Sequence, residues 1–268
     1  LDERLALPEG ERTGKLRSFS RAEVWVPRVL VINVRGLTNQ LPLVVDVDDA
    51  GNVELRSRLT GQLAGDLQFQ EFPFDVQVLP IDIVAYQYSA DELQFAADSV
   101  IIGDVDTFSI EGWRIRILEP QFDEYAVEGT ELVRPQLTFM IEAERVTEYY
   151  LLTMFLPMSL IIFMSWMVFW LQPEIVPSRV ALSTGAIFSL IAFGFSIRLS
   201  LPQVSYMTRA DKFVLGCTML VFLTLGAAII GSRWASGERK QQALRLNAVA
   251  RWAYLLLYGV VVLVAFYA

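Results

Sequence analysis

The sequence predicts an antiparallel β-sandwich followed by a four-helix transmembrane bundle, divided between residues 1–147 and 148–268. Three observations carry this. Charge is unevenly split: residues 1–148 hold 27 of the 30 acids and 13 of the 22 bases, a net of −14, whereas residues 149–268 hold 3 acids and 9 bases, a net of +6. Short β-branched runs separated by turn residues occupy the first half. Four apolar segments, each near the ~20 residues that cross a ~30 Å hydrocarbon core, occupy the second.

In the first half, Val24-Trp25-Val26, the run from Leu30 to Val34 and the run from Leu43 to Val47 read as strands. Further strands are expected at 53–59, 66–71, 76–84, 93–102, 112–118 and 136–146. Turn signals stand at Arg35-Gly36, Asp48-Asp49-Ala50-Gly51-Asn52, Gly61 and Gly65. Several strands at this spacing suggest a sandwich.

In the second half, spans are expected at about 149–171, 179–199, 212–233 and 250–268. A buried helical core of a soluble protein is the competing reading, and four segments of this length and composition argue against it. The stretch from Arg233 to Arg245 holds Arg233, Arg239, Lys240 and Arg245 against the single acid Glu238. The positive-inside rule therefore places it in the cytoplasm, together with the first–second connection and its Arg179. The acidic half and the end of the fourth span then lie on the opposite side.

Composition excludes several chemistries. There is no histidine, and the single cysteine, Cys217, lies in an apolar run. An intrachain disulfide, a Cys/His metal site and a His- or Cys-based nucleophile are thereby excluded, and no enzyme is expected. Leu1-Asp2-Glu3-Arg4 lacks the charged-then-apolar pattern of a signal peptide, so a leader is expected to have been cleaved or to lie upstream.

The second span is the most informative. On a helix of 100° per residue, Ser178, Ala181, Gly185, Phe188, Ser189, Ala192, Ser196 and Leu199 share one face, with Phe195 at its edge. Val180, Leu182, Ile187, Leu190, Ile191, Phe193 and Ile197 lie on the other. A small-residue stripe serves either close helix packing or a water-filled passage in which a bulky ring makes a constriction. Phe188 favours the passage, because a phenyl in the middle of the stripe hinders close packing. One helix cannot enclose water, so a passage requires several copies about an axis.

These pieces, in this order, resemble the pentameric ligand-gated ion channels. Trp25-Val26-Pro27 is similar to the family's Trp-x-Pro motif. Phe72-Pro73-Phe74-Asp75 resembles the signature loop of the Cys-loop receptors, here without cysteines. Pro157 and Ser165-Trp166-Met167-Val168-Phe169-Trp170 resemble the family's first span, and Leu201-Pro202 with Ser205-Tyr206-Met207-Thr208 its second-to-third linker. The missing cysteines and the short third–fourth linker are similar to the prokaryotic branch. Asp2-Glu3-Arg4-Leu5-Ala6 resembles a point in the second strand, so the first strands are expected upstream of Leu1.

The resemblance implies a homopentamer in a bacterial inner membrane, with lipid around it and the β-domain in the periplasm. It implies that a small ligand gates a passage lined by the second span, and that Phe72, Pro73, Phe74, Asp75, Arg145, Pro202 and Tyr206 couple the two halves. Asp75 needs a cation if buried, and Arg145 is the expected partner. The family's aromatic agonist pocket suggests Tyr86, Tyr88 and Tyr125, suited to an amine through cation–π contact, with ordinary strand-edge tyrosines as the other reading. No cofactor and no nucleic-acid partner is expected. Asp46, Asp48 and Asp49, or Asp104 and Asp106, offer oxygens to Ca²⁺ as a modulator, with solvated turns as the competing reading. Gating by protons through carboxylates also stays open. Cation passage is favoured by the acidic domain, although Pro177-Ser178-Arg179-Val180 is similar to the inner mouth of anion channels. A non-conducting receptor or assembly subunit is the alternative function.

Overall fold

A computed structural model describes residues 2–42, 44–96, 110–127, 129–200, 204–237 and 239–267, without the side chains of 199 and 200. It divides into two compact units. The first comprises Leu1–Leu67, Gln77–Ile110 and Ile115–Ala143; the second comprises Gln68–Val76, Glu111–Arg114 and Glu144–Ala268.

The first unit is an antiparallel β-sheet domain. Strands β1 (Arg17–Ser20), β4 (Val44–Val47) and β5 (Val53–Leu55) form one sheet in the order β1-β4-β5. Strands β2 (Leu30–Val31), β7 (Val76–Val84), β10 (Val133–Arg145) and β8 (Trp113–Ile117) form a second in that order, with β9 (Gln121–Ala126) paired to β10. A third pair joins β3 (Val34–Asn39) to β6 (Leu59–Leu63). Alternation sets the faces: Val45 and Val47 are buried, while Asp46 between them accepts a hydrogen bond from the Ser18 hydroxyl at 2.6 Å. Asp82 of β7 is buttressed from β10 by the Thr138 hydroxyl at 2.8 Å and the Gln136 amide at 3.1 Å.

Several strands differ from the sequence expectation. Val24-Trp25-Val26 follows a turn and stays irregular, because Pro27 has no N–H to give a ladder. The stretch 66–71 forms no strand and runs into turns closed by Phe72 N–H to Phe69 O and Phe74 N–H to Glu71 O. Residues 93–96 form no strand, Leu93 N–H instead closing a turn on Ser89 O, and 97–102 lie outside the described residues. The expected strand 53–59 is two, β5 and the start of β6. Arg35-Gly36 and Gly61 fall inside strands: β3 carries a register shift between Arg35 and Thr38, which Gly36 accommodates at φ +66°. β1 and β9 arise where too few apolar residues signal a strand.

Among the described residues four helices in the second unit are long and apolar enough to cross a membrane, and the chain is a multi-pass membrane protein: α1 (Glu148–Trp170), α2 (Val176–Arg198, continuing to Ser200), α3 (Arg209–Ala235) and α4 (Lys240–Tyr267). α1 widens to a π-turn over Leu151–Phe155 just before Pro157, whose ring and missing donor disfavour a regular turn. α3 begins at a capping box: Thr208 Oγ1 accepts from Asp211 N–H, and the Asp211 carboxylate accepts from Thr208 N–H, each at 3.1 Å. α4 starts well before its apolar run, because the charged connector is made of good helix formers that bury Ala243 and Asn247 one turn apart.

Met158 and Ile162 of α1, Leu190 of α2, Phe213, Cys217 and Val221 of α3 and Tyr254 of α4 form the core, with Phe72 among them. α3 and α4 approach closely at Gly216, where an added Cβ would stand 2.6 Å from Val261 Cγ1.

Candidate pore and coupling site

The stripe on α2 faces away from the other helices of its unit. Ser178, Ala181, Gly185, Phe188, Ser189, Ala192, Phe195 and Ser196 are all exposed, whereas Arg179, Ser183, Ala186, Ile187, Leu190 and Gly194 are buried. Phe188 is 72% exposed and Phe195 66%. The stripe is therefore not the seam along which this helix packs on its own bundle. Seven residues separate the two phenyl groups, about 10 Å along the axis on nearly the same face. Ile191, expected on the packed face, is 51% exposed and stands at the border. The side chain of Leu199 is outside the described residues.

Ions at the ends of α2 are differently placed. Arg179 is fully buried and turned into the bundle. Glu174 pairs with Lys240 at 2.7 Å, and this hydrogen bond holds its carboxyl below the usual range. Arg198, at the other end, is 69% exposed and 4.0 Å from Asp211.

The Phe72-Pro73-Phe74-Asp75 loop belongs to the same unit as the four helices. Its Phe72–Pro73 peptide is cis, and Phe72, Pro73 and Asp75 are buried. Asp75 accepts from Arg145 in a bidentate pair, Nε to Oδ1 at 2.7 Å and Nη2 to Oδ2 at 2.9 Å. Arg145 also donates to the Tyr150 hydroxyl at 3.2 Å and lies over the rings of Trp113 (4.1 Å), Phe72 (5.0 Å) and Tyr150 (5.6 Å). Burial opposes the charge on Arg145, but the hydrogen bonds and charge of Asp75 outweigh it and hold the guanidinium above its ordinary range.

The loop also meets the start of α3. Phe69 N–H donates to the Tyr206 hydroxyl at 2.9 Å, Arg209 N–H to Gln70 O at 3.0 Å and Ala210 N–H to Phe72 O at 3.2 Å. Arg209 pairs with Glu71 and donates Nη1 to Phe266 O at 2.8 Å, while Phe74 packs on Phe266 at 5.2 Å. Pro202 lies outside the described residues. Trp113, Tyr150, Glu71, Arg209 and Phe266 escaped the sequence reading. The one usable signal was an acid beside the loop and a base after Thr208.

Tyr86 is exposed after β7, Tyr88 packs edge-on against Trp25 at 5.8 Å, and Tyr125 lies in β9 opposite Arg134. The open cavity beside Tyr88 also carries Arg21 and Arg28, which would repel an ammonium group. The aspartates serve turns: Asp48 accepts from Ala50 N–H, Asn52 N–H and Asn52 Nδ2, which lower its pKa, the Asn52 side chain most. Asp49 Oδ2 accepts from Gly14 N–H at 2.5 Å. Among the described residues no three such ligands converge on a metal position, and Asp104 and Asp106 lie outside them.

Comparison with known proteins follows this geometry. Residues 1–147 match the neurotransmitter-gated ion-channel ligand binding domain, and residues 154–254 the neurotransmitter-gated ion-channel transmembrane region. A gamma-aminobutyric acid receptor subunit beta from Caenorhabditis elegans is 27% identical over 231 residues, covering 81% of this chain and 40% of the relative. A proton-gated ion channel from Gloeobacter violaceus is 23% identical over 228 residues, covering 84% of this chain and 62% of the relative. The chain thus spans less than two thirds of the length of either.

Proposed function

Because this chain belongs to the neurotransmitter-gated ion-channel family, we propose that it is a subunit of a ligand-gated ion channel, a homopentamer whose passage is lined by α2. One observation carries the reading: α2 turns a stripe of small and hydroxyl residues, interrupted by Phe188 and Phe195, away from its own bundle. Around a shared axis each position becomes a ring. The phenyl rings narrow and dewet the path, and the serines keep it wet.

Ligand binding in the β-domain shifts it between two arrangements. The loop from Phe72 to Asp75 runs directly into β7, and Arg145 ends β10, so movement of either strand is felt at the Asp75–Arg145 pair. Tyr206 and Arg209 pass it to the start of α3 and the linker from α2. The ligand moves this equilibrium only by its difference in affinity for the two states.

The assembly sits in a bacterial inner membrane with the β-domain in the periplasm. Cations are the favoured ions, since five acidic domains concentrate them at the outer entrance and the described stripe from Ser178 to Ser196 carries no charge. Protons, an amine and calcium are the gating agents to try. The relatives, a proton-gated channel and a gamma-aminobutyric acid receptor subunit, support the first two.

The test is recording from the purified protein in planar bilayers, in a salt gradient, under steps of pH, calcium and amines. Gated current reversing toward the cation potential is expected, and Phe188→Ala should leak or activate at lower stimulus. A wild-type chain that never conducts points to the non-conducting receptor, and unchanged gating in Phe188→Ala removes that ring from the gate.

A further inference from the structure

We infer that Arg179 is a positioning residue: pinned by Asn247 of α4, it fixes the rotational setting of α2 and so decides which side chains face the passage. The inference rests on the pore reading above.

Arg179 heads the fully buried side chains by size. Its Nη2 donates to Asn247 Oδ1 at 2.8 Å, while Nε and Nη1 are buried without an acceptor among the described residues. Asn247 is itself buried and donates Nδ2 to Leu171 O, just past α1, at 3.3 Å. One α4 amide therefore ties together the facing ends of α1 and α2. The nearby carboxylate of Glu174 is engaged by Lys240. Gly231 of α3 closes another side, its added Cβ falling 3.4 Å from Arg179 Nη1.

A buried cation is tolerated only where acceptors meet it. Among the described residues Asn247 supplies the one side-chain acceptor of Arg179. The contact thus holds Arg179 toward α4 and cannot be exchanged for another. Helix geometry does the rest. Ala181 is 200° from Arg179, so pinning Arg179 inward turns it outward, while Ser178 and Val180 lie 100° to either side, Ser178 on the exposed flank and Val180 on the half-buried one. Without the pin the helix is free to turn, and half-buried Val180 comes toward the exposed side. Arg179 on this account is an anchor and contributes no charge to the lumen.

The test uses the full chain in lipid nanodiscs with Cys217→Ala, a charged methanethiosulfonate reagent and intact-mass readout. With Asn247 in place, Ser178→Cys and Ala181→Cys should label faster than Val180→Cys. Asn247→Leu, close in size, should abolish that contrast and lower the Tm. Asn247→Asp, which adds a counter-charge, should keep the contrast and raise the Tm. A contrast that survives Asn247→Leu overturns the inference. If Ser178→Cys and Ala181→Cys are unreactive in the parent, the pore reading falls and a thermal double-mutant cycle decides the pin. Arg179→Gln with Asn247→Leu lowering the Tm no further than the larger single change supports it, and additive losses overturn it.

Discussion

Arg145 just before α1 and Arg179 in the first turn of α2 are both withdrawn from water, and their surroundings differ in kind. Arg145 has a bidentate carboxylate, a phenol and three aromatic faces. Arg179 has one neutral amide and two groups without acceptors. The first is a balanced pair, in which removing either member strands the other. The second is an unbalanced charge held in place by a single amide. The contrast teaches that burial alone does not rank a charge's importance: the fate of the partner left behind does.

Asp75→Asn should therefore have the largest effect, about 3–5 kcal/mol, because Arg145 stays buried and unmatched. A steep loss of Tm and of the assembled species on size exclusion is expected, with partial recovery when Asp75→Arg is combined with Arg145→Asp. An unchanged Tm would dissolve the comparison. Gly216→Val calibrates it with a change that involves no charge. The close approach to Val261 should make it cost roughly 1–3 kcal/mol by thermal unfolding. Arg179→Gln should cost only about 1 kcal/mol, since it removes the unmatched charge along with its hydrogen bond, and it should leave the reversal potential where it was. A shifted reversal potential would put Arg179 in the lumen.

The smallest effect belongs to the exposed Glu174–Lys240 pair. Its carboxyl lies below the ordinary range, so its contribution is complete above the usual glutamate value and is lost as pH falls through the lowered one. Screening keeps that slope shallow, and Lys240→Gln should flatten it in Tm measured from neutral to acid pH.

Legibility followed the same physics. The spans were readable because twenty apolar residues in a row have few other uses, and the stripe on α2 because size and polarity repeat with the helix. Asp75 and Arg145 were readable as a motif and a lone base before a span. Asn247 was invisible: a neutral amide inside an amphipathic helix gives no sign that a cation across the bundle depends on it. Edge strands such as Gln121–Ala126 give little signal because their faces are exposed and polar, and the stretch 66–71 reads as a strand although Phe69 packs on the helical core and closes a turn.

The central claim is that the exposed stripe of α2 borders water. Single cysteines from 178 to 196, placed one at a time in the Cys217→Ala protein in bilayers and challenged with a membrane-impermeant charged thiol reagent, test it most directly. Fast labelling at 181, 185, 189, 192 and 196, with protection at 182, 187 and 190, is the result this account gives. Protection along the stripe, or labelling that ignores the helical period, would contradict it.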